Sequence, residues 1–520
     1  MKEREMSRNK QLFVNLIASF MSYVITFGIS FFLSPYIVRK VGVEAYGFVS
    51  LANNFVGYAS LITIALDTLA GRFITIRIYE KDYEGANKYF SSVFIANSFI
   101  SAFLLIVSAS VWFFLERLIQ IPDQIFWDIK ILFAALFLNC IISTFGSVFA
   151  VATFAKNKLY LNSLRTVESS VVRGFVLVVL FSFFAPNVCY LGITSLLTGI
   201  YCFAYNVYYT KKLLPFIHIK KKYFDFSSII ELISSGVWNV LIRLGQLLSD
   251  GLDLLITNIF IDATSMGVLS LAKTIPSLIT SIVGTLVGVF SPSLTILYAE
   301  KKMDELVRTL KQSMRIMGII VNLPIIVLIV CGENFFLLWQ PTQDARVLHI
   351  LSVLTCAGYI ISGGINCVYN IFTVVNKLKV NSLSLISCGF INILIVFILL
   401  KTTNLGIYAV AGISTIINTL KNLIIIVPYS AKCLNLKWYA FYPDVIRPFI
   451  FVFISCLLNY TVLHFFDCNS WLTLIVHSFI TLSVSTLIGC FIILRKQDRK
   501  YLSYNIKKGL DQIVNTSKNI

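Results

Sequence analysis

The sequence predicts an all-α polytopic membrane protein of about 14 transmembrane helices: two parallel six-helix lobes around a central cavity, two further C-terminal helices, and both termini in the cytoplasm. Three observations lead there: apolar runs of membrane-crossing length, a one-sided distribution of basic residues, and an internal repeat at an offset of 220 residues.

The 520 residues are 57% hydrophobic and only 13% charged, against the roughly 25% charged residues usual in soluble domains. Forty-three Lys and Arg against 25 Asp and Glu leave a formal charge of +18, which in a soluble chain would point to nucleic acid. Here the basic residues sit in short clusters between apolar runs of 20 or more residues, the mark of membrane-spanning helices. A soluble enzyme, a nucleic-acid-binding protein and a disulfide-stapled secreted domain are excluded. Lys2, Arg4, Arg8 and Lys10 precede an apolar stretch that continues to Val38, too long for a signal-peptide core, so it reads as a retained first span. The 11 cysteines form no CxxC pair and there are four histidines, which argues for buried thiols and no structural metal.

In chain order the first six spans run 12–37, 45–70, 91–115, 128–154, 164–184 and 188–210. The next eight run 228–259, 265–297, 313–339, 346–374, 380–400, 405–428, 445–466 and 470–494. The N-terminus, the even-numbered loops and the tail hold 32 of the 43 basic residues, and the odd-numbered loops hold six. That bias places both termini inside. The tail from Arg495 has the composition of an amphipathic helix for an anionic leaflet or of a solvated extension.

The repeat is read from two segments. Tyr46–Asn53 reads YGFVSLAN and Met266–Lys273 reads MGVLSLAK, so that Gly47, Ser50, Leu51 and Ala52 recur as Gly267, Ser270, Leu271 and Ala272. The same offset aligns polar stripes on spans one and seven: Asn15 with Ser235, Ser19 with Asn239, Thr26 with Gln246 and Ser30 with Asp250. An even number of spans per half makes the repeat parallel. The chain thus divides into residues 1–210 and 211–430 as two six-helix lobes, 431–494 as two additional helices, and 495–520 as a basic cytoplasmic tail.

At about 100° per residue, Ser235, Asn239, Arg243, Gln246, Asp250, Asp253 and Thr257 share one narrow face of the seventh span. Polar side chains in hydrocarbon face a bundle interior or a water-filled cavity, although Ser and Thr alone also glue helices together. Arg243 lies roughly 22 Å into its span at about 1.5 Å per residue, too deep to snorkel. Arg173 and Lys273 lie at roughly 12–14 Å by the same measure and are the other candidate cavity cations. Asn53, the repeat counterpart of Lys273, joins Asn239 and Gln246 as a candidate polar contact. Glu168 is either the partner of Arg173 or a surface charge. Asp250 and Asp253 neutralise Arg243, bind a coupling cation or form an outer gate, and Asp67 is a further acidic candidate. A cavity with more cations than a neutral solute needs favours phosphate or carboxylate.

Three segments carry a family resemblance: Ser34–Gly47 (SPYIVRKVGVEAYG), Asp250–Gly267 with its DLLITNIFI core, and Ile275–Glu300 with Pro276 and Pro292 near the ends of an apolar helix. With the topology of the whole chain, they resemble the polysaccharide branch of the multidrug/oligosaccharidyl-lipid/polysaccharide exporter superfamily. The resemblance implies a flippase for undecaprenyl-pyrophosphate-linked oligosaccharide repeat units of a capsule, O-antigen or exopolysaccharide. It also implies a bacterial cytoplasmic membrane location and alternating access. The partners it implies are the lipid-linked oligosaccharide, membrane lipids, and the polymerase and glycosyltransferases of the same pathway, with no nucleic acid. No cofactor is implied beyond coupling to a proton or sodium gradient, for which Asp67, Asp250 and Asp253 are the candidates; head-group contact falls to Arg173, Arg243 and Lys273. The rival readings are a cation-coupled multidrug exporter of the same superfamily and a membrane polysaccharide polymerase. Against the second, the chain has no large loop, and His349 and His477 lack an acidic neighbour that would make an active site.

Overall fold

In the computed structural model, residues 8–463, 470–495 and 499 are described, and none of them lies in a β-strand. Each of the fourteen apolar runs becomes one helix or several in series. Eleven helices among the described residues are long and apolar enough to cross a membrane. The second, sixth and seventh runs fall outside that set for visible reasons. The second breaks at Leu61–Thr63 and the seventh at a π turn, Leu247–Gly251, while the sixth is diluted by tyrosines and threonines. The chain is a multi-pass membrane protein. Apart from Arg495 and Arg499, the basic tail lies outside the described residues.

Contacts group the chain into two compact units, Met1–Ser270 and Leu271–Ile520. The first contains α1 (Arg8–Val41), α2 (Val43–Ser60), α3 (Ile64–Tyr79), α4 (Tyr83–Phe113), the short α5 (Leu115–Leu118), α6 (Phe126–Gly146) and α7 (Val151–Ala155). It continues with α8 (Leu159–Phe183), α9 (Cys189–Leu213), α10 (Phe226–Gln246), α11 (Asp253–Phe260) and most of α12 (Ala263–Ala272). α6 packs on α9, α4 and α2, and α8 packs on α1 and α9. The segment that the repeat assigns to the opening of the second lobe packs here: α10 lies on α3 and α4, and α11 on α2. Leu66, Ile74 and Phe90 share one apolar cluster with Ile229 and Leu232 of α10.

The connection into α10 is tied to α4 by polar contacts. Asn87 donates from Nδ2 to the carbonyl of Phe216 (3.2 Å) and accepts from the backbone N–H of His218 (2.6 Å). Ser92 Oγ accepts from the N–H of Asp225 (2.8 Å). Asp225 then caps α10, accepting from the hydroxyls and backbone N–H groups of Ser228 and Ser227. Those bonds hold its carboxyl down at about 2. A depressed carboxyl contributes stability above its unfolded value and loses it only as pH falls through about 2, so the cap is intact at every physiological pH.

The polar stripe of α1 is used as helix glue. Asn15 Nδ2 donates to the carbonyl of Asn157 (2.8 Å) while its Oδ1 accepts from the N–H of Tyr160 (3.0 Å). Ser19 meets Ser163 (3.3 Å) and Thr26 meets Ser170 (3.2 Å), hydroxyl to hydroxyl, along α8. Asn15 is 5% exposed, so Asn15→Ala strands a backbone N–H at the start of α8. A buried unsatisfied group costs about 1–3 kcal/mol, so the thermal midpoint of the purified protein should fall measurably for Asn15→Ala and less for Ser19→Ala, whose partner is another hydroxyl.

The repeat reappears in the backbone. α3 ends with Lys81 at φ 61° and α13 (Thr274–Ala299) ends with Lys301 at φ 59°, displaced by 220 residues. Both ends close in the same way: Asp82 N–H donates to the carbonyl of Arg77 (2.9 Å) and Lys302 N–H to that of Leu297 (3.0 Å). This is the six-to-one closure of a left-handed helix cap. Asn157 and Asn376, displaced by 219 residues, cap their helices in the same way, with Lys158 N–H bonding the carbonyl of Thr153 and Lys377 N–H that of Phe372 (2.8 Å each).

The second unit holds α13, α14 (Met303–Ile320), α15 (Asn322–Trp339), α16 (Ala345–Val374), α17 (Lys379–Thr402), α18 (Ile407–Lys421) and α19 (Val427–Cys433), then α20 (Tyr442–Leu463) and α21 (Trp471–Ile492). α16 is its centre, packing on α13, α14, α15, α18 and α20. The last two helices attach through Phe451 and Val452, which cluster with Ile319 and Ile326. A buried ion pair joins the same elements, Arg315 Nη1 to Asp444 Oδ1 at 2.9 Å, with side chains 4% and 1% exposed.

Candidate functional site

The polar face of α10 begins as a packing face. At about 100° per residue, Ile229, Leu232 and Gly236 fall within about 40° of Arg243, and all three are buried, in the half of the helix that lies on α3 and α4. Farther along, the same face carries Asn239, half-buried, and then Arg243 and Gln246, both exposed. The apolar exposed side chains of α10, Ile230, Ile233 and Val237, lie about 80–140° away around the helix. The lipid-facing side is therefore not the Arg243 side. The guanidinium is exposed, and its Nη1 donates to Gln246 Oε1 at 2.9 Å.

Just beyond Gln246 the helix widens into the π turn Leu247–Gly251. The wider turn breaks the register assumed for a continuous helix, and the two aspartates separate. Asp250 is exposed, whereas Asp253, at the start of α11, is 2% exposed and its carbonyl accepts from Thr257 Oγ1 (2.8 Å). Asp253 is thus closed off, whereas Arg243 is exposed. The π turn also frees the carbonyl of Gly251, which accepts from Tyr58 Oη (2.7 Å) and Asn54 Nδ2 (3.2 Å) of α2. Asn54 and Tyr58 were not legible as site residues, because their partner is a backbone carbonyl created by the turn. Asn53 beside them is exposed and bonds its own helix at the carbonyl of Val49 (2.9 Å).

Arg173 occupies a second environment. It is half-buried on α8, its Nε is buried with no hydrogen-bond partner, and Tyr46 of α2 lies near enough to act on its charge. Tyr46 in turn accepts from Ser34 Oγ (3.2 Å). Glu168 is held elsewhere, by the Tyr201 hydroxyl. Asp67 lies on α3, with its side chain outside the described residues. Lys273 stands between α12 and α13 at the opening of the second unit, half-buried. His349 is a packing residue that bonds the carbonyl of Leu328 at 2.9 Å.

The repeat segments themselves meet. Ser270 Oγ lies 2.6 Å from Ser50 Oγ, and the Thr264 hydroxyl donates to Glu44, both pairs separated by 220 residues. A Cβ on Gly47 would stand 2.7 Å from the Cα of Gly267. Residues equivalent by the repeat and touching one another define a local two-fold relation between α2 and α12.

Three comparisons place this architecture among known proteins. A family profile described as "Polysaccharide biosynthesis protein" matches residues 12–298. The chain is 26% identical over 497 residues to the "Uncharacterized membrane protein EpsK" of Bacillus subtilis (strain 168), covering 95% of this chain and 98% of that one. Among solved structures, the lipid II flippase MurJ in an inward closed conformation aligns with a TM-score of 0.65 at 16% identity, covering 93% of this chain and all of that one. An inward-facing multidrug resistance MATE family transporter of the MOP superfamily aligns with a TM-score of 0.64 at 16% identity over 81% of this chain and 98% of that one. The fold is the one these transporters share.

Proposed function

Because the chain belongs to the polysaccharide biosynthesis protein family, we propose that it is a flippase. It carries undecaprenyl-pyrophosphate-linked oligosaccharide repeat units from the inner to the outer leaflet of the bacterial cytoplasmic membrane for a surface polysaccharide. The observation that carries this reading is the Arg243 face of α10, cationic, accessible and turned away from the lipid side. An arginine offers paired N–H donors to pyrophosphate oxygens, and Asn239 and Gln246 on the same face suit sugar hydroxyls. The lipid tail stays in the bilayer while the head group crosses. The shared fold with a lipid II flippase supports the same substrate class.

In this reading both termini are cytoplasmic, and the repeat-related lobes rock around the shared site in alternating access. Arg173, Lys273 and Asn53 contribute further polar surface to the path. Asp250, exposed one turn beyond Gln246, and Asp67 are the acidic groups for coupling to a proton or sodium gradient, and Asp253 serves to hold the π turn.

The test uses a strain that lacks the gene but keeps the downstream pathway. Finished lipid-linked units should accumulate and stay beyond the reach of a membrane-impermeant glycosidase added outside. Arg243→Ala should restore export about tenfold to a hundredfold less well than the wild type, the equivalent of the ~1.5–3 kcal/mol of a hydrogen bond to a charged group. Arg243→Lys should restore part of it. Finished but unpolymerised units already exposed outside would point to a polymerase, and unchanged lipid-linked pools to a small-molecule exporter.

A further inference from the structure

We infer that the first unit carries a second anion site, separate from the α10 face and independent of the flippase reading: a cavity that holds the phosphate of a phosphate-bearing head group. The cavity has a volume of about 540 Å³ and lies among α3, α6, α7, α8 and α9. Its polar lining comprises Arg72, Arg165, Asn206, Ser143 and Ser147, and among the described residues no Asp or Glu lines it. Two permanent positive charges, Arg72 exposed and Arg165 half-buried, therefore face one open cavity.

Neither guanidinium is in an ion pair among the described residues. Arg165 Nη1 donates to Asn206 Oδ1, a neutral acceptor, and Arg165 Nε is buried with no hydrogen-bond partner. Arg72 makes no hydrogen bond or ion pair among the described residues. Glu168, one turn along α8 from Arg165, is already engaged by Tyr201. An arginine cannot shed its proton to escape this environment, so the free N–H donors call for an anion. A phosphate offers the matching acceptors, several oxygens on one centre that a planar guanidinium grips in pairs. Ser143 and Ser147 add hydroxyl donors, and Phe154 and Phe203 supply an apolar wall.

The depth of the cavity fits a head group. Arg72 stands seven residues from the end of α3, Arg165 six from the start of α8 and Asn206 seven from the end of α9. At about 1.5 Å per residue all three lie roughly 9–11 Å inside their helices, at the ends that carry the basic loops around Lys81, Lys156 and Lys211. That level is the boundary between lipid head groups and hydrocarbon. A phosphodiester head group drawn sideways into the cavity, or a soluble phosphate entering from the basic end, presents the same chemistry.

Cys202 lines the cavity and supplies the readout. The full chain would be placed in micelles of dodecyl maltoside, a detergent without phosphate, either alone, with added phosphatidylglycerol, or with added inorganic phosphate. Alkylation of Cys202 by a small maleimide would be followed at the peptide level. Phosphatidylglycerol or phosphate should slow it in the wild type, and whichever protects names the source. Each of Arg72→Gln and Arg165→Gln should weaken the protecting ligand about tenfold, and the double variant should be alkylated at the rate of the phosphate-free micelle in all three conditions. Arg72→Lys with Arg165→Lys should recover part of the protection, which separates loss of charge from loss of fold. Protection by neither anion, or equal protection in the wild type and the double glutamine variant, overturns the site. Neither result bears on export, so this test and the flippase test fail separately.

Discussion

Asp444→Ala is expected to lower the thermal midpoint of the purified protein further than either Asn15→Ala or Gly267→Val. Its carboxylate meets Arg315 at 2.9 Å with both side chains almost fully buried, and Arg447 stands 3.9 Å away on the same oxygen. Removing one member of a buried pair strands the other charge, which costs about 3–5 kcal/mol. The loss falls at the seam between α14 and α20, so the last two helices should loosen from the second unit and the 434–441 connection should become sensitive to protease. Replacing both partners by apolar residues, Arg315→Met with Asp444→Leu, should recover much of the stability, because a desolvated pair gains little over a well-packed apolar one. An unchanged midpoint in Asp444→Ala, or a double variant as unstable as the single one, would show that the pair does not hold this seam.

Gly267→Val should break the contact between α2 and α12. A Cβ at position 267 would stand 2.2 Å from the carbonyl oxygen of Val43, and neither atom belongs to a flexible side chain that can swing away. The backbones must move apart, and overpacking of this kind costs about 1–3 kcal/mol and occasionally more. Separation also removes the Ser50–Ser270 contact of 2.6 Å. In an otherwise unaltered chain, Ser50→Cys with Ser270→Cys should cross-link readily under mild oxidation, and adding Gly267→Val should abolish the cross-link. If transport requires this seam to form in each cycle, export falls with it. A cross-link that survives Gly267→Val would mean that the helices do not meet through these glycines.

Arg243 was legible and Arg72 and Arg165 were not, for one reason. A cation in the middle of an apolar run declares itself by the cost of burying it. Arg72 lies just past the run that ends at 70 and Arg165 one residue into the run that opens at 164, so both read as charges at a loop edge. Yet α3 continues to Tyr79 and α8 begins at Leu159, which draws both into the helical body. Arg315, two residues into the run that opens at 313, and Asp444, one residue before the run that opens at 445, sit at loop edges too. On α1 the polar residues serve packing. Asn15, Ser19 and Thr26 form a true stripe, but α8 offers a partner at each step, and a stripe that is satisfied side by side lines nothing.

The sequence by itself determined which segments are helical and apolar, since transfer of apolar side chains into hydrocarbon is a sum over residues that needs no knowledge of neighbours. It also determined the repeat, which the paired left-handed caps at Lys81 and Lys301 reproduce in the backbone. Only the tertiary structure decided which polar groups are free to meet a ligand. A serine bonded to a neighbouring helix and a serine facing a cavity have the same sequence signature, and their difference lies in the partner. The π turn at Leu247–Gly251 is the clearest case: one widened turn buries Asp253, leaves Asp250 exposed and hands the Gly251 carbonyl to Tyr58 and Asn54. No count of 100° steps along α10 anticipates it, because that turn depends on the helix packed beside it.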